Sequence, residues 1–144
     1  MFKRRIWILC VIVVLIIMTK HFGESKPKAD LAMKPDVVSS ISINQDQYLT
    51  VVANRSRIED KEEFADLLIQ MYKENSFESM KFSEDEGYPT SLDMNVYTRK
   101  EDIGEKDPIM TVEYKPEEWN AEYDIVNATE QFHLYVDDEM VEDN

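Results

Sequence analysis

Thirteen consecutive apolar residues run from Ile6 to Met18, directly after Lys3, Arg4 and Arg5. A helix rises 1.5 Å per residue, so this run covers only ~20 Å of a hydrocarbon layer ~30 Å thick. Thr19 to Phe22 can complete the crossing, because the Lys20 side chain snorkels outward while Trp7 and Phe22 reach the two headgroup layers. The competing reading is a secretory leader removed after export, which needs small residues at positions −3 and −1 of the cut. Gly23 and Ser25 are the one fitting pair, and the polar Lys20 and His21 stand between them and the apolar run. An uncleaved transmembrane segment or signal anchor over residues 1–22 is therefore expected, with the lipid bilayer as partner through Ile6 to Met18. Lys3, Arg4 and Arg5 abut the apolar edge more densely than Lys20, Lys26, Lys28 and Lys34 follow it, which favours a cytoplasmic N-terminus and a domain on the far side. Cys10 reads as a small hydrophobe within the span, since Trp7, Ile8 and Leu9 before it do not make a lipid-attachment pattern.

Charge excludes one class of partner. The chain of 144 residues has a formal net charge of −14, with 30 acidic residues against 16 basic ones, and so repels DNA and RNA. Every acid follows position 23, whereas Lys3, Arg4, Arg5 and Lys20 precede it, so the part beyond the apolar run is the more acidic part. With 3 Gly, 1 Cys and 2 His, the chain has too few of these residues for a Walker loop, a dinucleotide fingerprint, a Cys and His zinc site or a disulfide framework. No cofactor or metal is expected. Residues 23–35, with Pro27 and Pro35 and no apolar period, read as a flexible linker. Residues 36–137 form one acidic domain that must fold on a hydrophobic core alone, and 138–144 an unstructured acidic tail.

Within the domain, Val37, Ser39, Ile41 and Ile43 share one parity. Asn44 to Gln47 is a turn cluster and Tyr48 to Ala53 is β-branched and aromatic, which together predict a β-hairpin. Asp60 and Glu63 make a capping box, and Phe64, Leu67, Leu68 and Met71 follow at i, i+3, i+4 and i+7, predicting an amphipathic helix over 61–74 that stops at Asn75. Beyond it the period changes to two. Met80 with Phe82, then Leu92, Met94 and Val96, then Met110, Val112 and Tyr114 each alternate with polar residues. Trp119, Ala121, Tyr123 and Ile125 do the same, although the i, i+4 spacing of Trp119 and Tyr123 also admits a helix. Phe132, Leu134 and Val136 alternate too, although Asn127 with Glu130 could cap a short helix. The expected fold class is α+β: a single, mostly antiparallel sheet with one amphipathic helix packed on one face, preceded by the N-terminal transmembrane or signal-anchor helix.

Candidate chemistry is sparse. His133 is the one histidine of the domain, lies on the polar face of its strand, and has no recognisable nucleophile motif beside it. Paired carboxylates could do general acid and base work, but a chain this acidic brings carboxylates together by composition alone. Glu84, Asp85, Glu86 and Gly87 could offer oxygen ligands to calcium, yet lack EF-hand spacing and read as a solvated loop, as do Glu101, Asp102, Glu105 and Asp107. Asn54-Arg55-Ser56 and Asn127-Ala128-Thr129 match the glycosylation tripeptide without further support. Tyr97 falls on the parity opposite Leu92, Met94 and Val96. With Tyr88 on the adjacent loop it could make an exposed aromatic surface for a protein or glycan partner. The expectation is a membrane-anchored extracytoplasmic module that binds rather than catalyses. The alternatives are a cleaved, secreted binding or inhibitor protein and, less favoured, a hydrolase using clustered carboxylates.

Overall fold

Hydrophobic alternation and one helical stripe produce the expected two layers. The computed structural model describes residues 34–142, so the proposed anchor and most of the linker lie outside the described residues. Strand β1 (Asp36–Ile43) turns through Asn44 and Gln45 into β2 (Asp46–Val52). Both turn residues have positive φ, 52° and 73°, as a two-residue hairpin of the primed type requires. Helix α1 (Lys61–Lys73) follows, then β3 (Ser91–Tyr97), β4 (Met110–Pro116), β5 (Phe132–Val136) and β6 (Glu139–Met140), with single-turn 3₁₀ helices at Lys100–Asp102 and Thr129–Gln131. The six strands stand in sequence order in one sheet. Only β2 and β3 are parallel, because the chain crosses between them through α1.

The helix begins and ends where its residues dictate. The Asp60 carboxylate accepts from the Glu63 amide at 2.9 Å, and Glu62 and Glu63 place acids at the positive end of the dipole. At the other end Asn75 takes φ 51°, while the amides of Asn75 and Ser76 donate to the carbonyls of Tyr72 and Met71, a Schellman stop. The buried face is Phe64, Ala65, Leu68, Ile69, Met71 and Tyr72, laid over β4 and β5. Leu67 is not part of it: its side chain is 37% exposed, whereas Leu68 is at 0%. The stripe follows i, i+4, i+7 and i+8 from Phe64, and Leu67 falls one residue outside it.

Three further expectations are corrected. A bulge between Val37 and Ser39 inserts Val38 and reverses the parity of β1. Val37 is buried with the core, and Ile41 and Ile43 emerge on the opposite face at 59% and 54% exposure. Met80 and Phe82 form no strand. The side-chain amide of Asn75 takes the place of a neighbouring strand, donating to the Phe82 carbonyl and accepting from its amide, both at 2.9 Å. Nor do Trp119 to Ile125 form one. Asn120 accepts from the Glu122 amide at 2.9 Å and Asp124 from the amides of Val126 and Asn127 at 2.9 and 2.7 Å, so Asx turns outcompete the ladder. Ile125 is nevertheless buried, and Trp119 is exposed.

The expected tail departs from its reading as well, since Glu139–Met140 is the sixth strand. Asp137 and Asp138 have φ 50° and 69° and make a second primed turn. Asp137 exchanges hydrogen bonds with the Thr111 backbone, 2.9 Å to its carboxylate and 3.1 Å from its amide, and pairs with Lys61 at the helix start.

Candidate functional site

The helix covers one face of the sheet, leaving the other to solvent. Strand register places Ile41, Tyr48, Asp93, Glu113, Tyr135 and Met140 side by side in a single row across all six strands of the uncovered face. Ile41, Ile43, Tyr48 and Met140 are exposed there. Acids occupy the centre. Lys115 pairs with Glu113, and its ammonium lies 5.0 Å from the centroid of the Tyr135 ring. Burial, the neighbouring Glu113 carboxylate and the charge of Asp46 push the Asp93 carboxyl above its ordinary value, against the opposing pull of Lys115. A carboxyl whose pKa rises on folding binds its proton more tightly in the folded state, so folding gains stability as pH falls through that raised value. Asp93→Asn is therefore expected to raise the melting temperature at pH 7. The gain shrinks toward zero below pH ~3, where the wild-type acid is protonated in both states. Thermal melts of both proteins from pH 3 to 8 check this.

On the covered side, where α1 does not reach, β1 and β2 are overlain by residues 76–90. The Asp36 carboxylate fixes this segment, accepting from the amides of Glu78 and Ser79 at 2.9 and 3.1 Å. Between the two lies an open groove of about 640 Å³, within the range of ligand sites. One wall is uncharged and polar: Ser40, Ser42 and Gln47, with the Gln47 amide donating to the Ser40 hydroxyl. The other includes Phe82 and Tyr88, and Tyr72 also lines the space. The Glu84 charge, assisted by burial and a hydrogen bond between the two side chains, raises the Tyr88 phenol above its ordinary value. Burial pushes the Tyr72 phenol up to about 12, so both hydroxyls stay protonated at neutral pH. Lys81 donates to the carbonyls of Asn75 and Phe77 at the groove's margin, which commits its charge to the backbone.

A larger hollow, about 930 Å³, lies elsewhere, around the start of α1. Two of its lining side chains serve the fold. The Arg55 guanidinium stacks 4.8 Å from the Phe64 ring centroid, and Asp60 caps the helix.

Tyr88 and Tyr97 do not form one surface. Tyr97 ends β3 and Tyr88 precedes its start, so a seven-residue strand separates them, ~20 Å at 3.3 Å per residue. Tyr88 packs at the core margin beside the groove, while Tyr97 stands at the far end of the sheet. His133 is half-buried opposite Lys115 on the uncovered face. Among the described residues, no three His, Cys, Asp or Glu side chains converge as a metal would require, and no helix is long and apolar enough to cross a membrane. Asp93 and Glu113 are adjacent, but neither lines the groove beside Tyr88 or the hollow at the helix start. Ser40, Ser42, Gln47 and Phe82 are groove residues that sequence reasoning missed. For Ser40 and Ser42 the available signal was the uncharged stretch from Val37 to Gln45 in a domain otherwise dense in charge. Comparison with protein-family models, curated proteins and solved structures finds no match to this chain.

Proposed function

We propose that this chain is a membrane-anchored, extracytoplasmic binding module without catalytic activity, and that the groove beside Tyr88 is where it takes its ligand. The apolar run from Ile6 to Met18 and the basic cluster before it support the location. The groove's lining carries the rest: uncharged hydroxyl and amide groups of Ser40, Ser42 and Gln47 line it together with the aromatic rings of Phe82 and Tyr88, beside two charged residues of opposite sign, Lys81 and Glu86. Hydroxyls and amides both donate and accept, and an aromatic face adds apolar contact without demanding charge. That combination suits a neutral, hydroxyl-rich chain such as a glycan and disfavours an anionic ligand, which the surrounding acids repel.

Titration calorimetry of the full-length chain in mild detergent against neutral oligosaccharides tests the reading. Binding to at least one of them is expected, with Tyr88→Ala weakening it at least tenfold while the domain still melts cooperatively. Failure of the wild-type chain to bind any neutral oligosaccharide, or binding indifferent to Tyr88→Ala, overturns the assignment of the groove.

A further inference from the structure

Sheets are normally protected from edge-to-edge pairing by charge, proline, bulges or a covering element. Among the described residues, strand β1 is an edge of the sheet, hydrogen-bonded to β2 alone, and its protection is partial. The bulge at Val38 interrupts its first residues, after which Ser39 to Ile43 pair regularly with β2 up to the turn at Asn44. No charged residue occurs from Val37 to Gln45, and Asp46 is the one charge between Val37 and Asn54. The Asp46 carboxylate is engaged by the hydroxyls of Thr90 and Ser91 at 2.7 and 2.8 Å. An uncharged, regular edge that also exposes Ile41 and Ile43 is built to be covered.

We propose that a second copy of this chain covers it, β1 against β1, antiparallel and centred on Ile41. Self-complementarity selects the occupant. A covering strand must itself offer an uncharged, regular edge of about five residues, and β1 is the edge strand among the described residues that does so, β6 being two residues long and carrying Glu139. The like charge of the two chains confines their meeting to this stretch, where neither presents an unengaged charge. Geometry selects the register. Ile41 is the midpoint both of the regular segment from Ser39 to Ile43 and of the uncharged run from Val37 to Gln45, so centring there pairs the most residues before bulge and turn intervene. A two-fold axis through that point closes the assembly after two copies and keeps both uncovered faces on one side. Tyr48 and Ile41 of one copy then meet Ile41 and Tyr48 of the other in a continuous apolar row. The inference is independent of the groove and of where the chain resides.

A ladder this short belongs to the weak class of interfaces, so self-crosslinking is the suitable readout. In the full-length chain with Cys10→Ser, Ile41→Cys is compared under mild oxidation with Glu139→Cys on the opposite edge strand β6. Residues facing each other across an antiparallel pair have Cβ atoms close enough for a disulfide after small shifts. The expected result is a covalent dimer at least tenfold more abundant for Ile41→Cys than for Glu139→Cys. Adding Ser39→Lys, which sets a charge into the ladder, should return the yield to the Glu139→Cys baseline. Equal yields at the two positions overturn the proposal, as does a dimer at residue 41 that Ser39→Lys leaves intact. A peptide partner on the same edge would leave residue 41 uncrosslinked and so also overturns it.

Discussion

Leu68→Asp is expected to abolish cooperative unfolding of the domain, whereas Leu67→Asp, one residue earlier, is expected to leave the melt nearly unchanged. Leu68 is fully buried between α1 and the sheet, and Leu67 is 37% exposed. Removing a buried leucine costs about 2–5 kcal/mol, and the unpaired carboxylate left in its place adds several more. A domain of this size is stable by roughly 5–15 kcal/mol in total, so the sum exhausts it. At the solvent-facing edge of the helix the same change is expected to stay within about 1 kcal/mol. Circular dichroism melts of the two full-length variants in mild detergent separate these outcomes. Equal destabilisation by both would mean that α1 is rotated from the orientation described.

Phe77→Ala is expected to have the next largest effect, a loss of about 3–5 kcal/mol and a melting temperature lowered by well over 10 °C. Phe77 has no exposed surface and is the largest of the fully buried side chains. Its ring meets that of Phe82 edge to face, with centroids 6.4 Å apart, and the Phe82 ring in turn lies 4.5 Å from that of Tyr72 on α1. This aromatic chain holds residues 76–90 against the body of the domain, and its Tyr72 and Phe82 line the groove. The same variant should therefore weaken ligand binding together with stability, in contrast to Tyr88→Ala, which acts chiefly on binding. Urea titration with tryptophan fluorescence or circular dichroism measures the loss.

Phe77 also marks where periodicity stops informing. It sits in no repeating pattern, and its burial follows from a loop that Asp36 and Asn75 fix by hydrogen bonds between residues far apart in sequence or conformation. Alternation in Leu92, Met94 and Val96 and in Met110 and Val112 was sufficient to place two central strands, because each is backed by a helix or its neighbours and has only one face to bury. The same alternation in Trp119, Tyr123 and Ile125 misled, since Asn120 and Asp124 satisfy the backbone locally and remove the need for a partner strand. The hairpin was legible but its faces were not: one inserted residue at Val38 exchanged them. Parity alone likewise joined Tyr88 to Tyr97, although a strand's length parts them. Of the groove, only the uncharged stretch that supplies Ser40 and Ser42 left a trace in the sequence, and its shape did not. It depends on residues 76–90 folding back over β1, a tertiary event without a local signature.

The central claim is that the apolar leader holds this acidic domain on the far side of a membrane. Protease added to intact cells that carry the full-length chain with a C-terminal epitope tests it most directly. The expected result is an epitope that stays with the membrane fraction at full chain length and is lost on protease treatment while a cytosolic marker survives. Full-length chain in the cytosolic fraction, with an epitope destroyed only after lysis, would contradict the account.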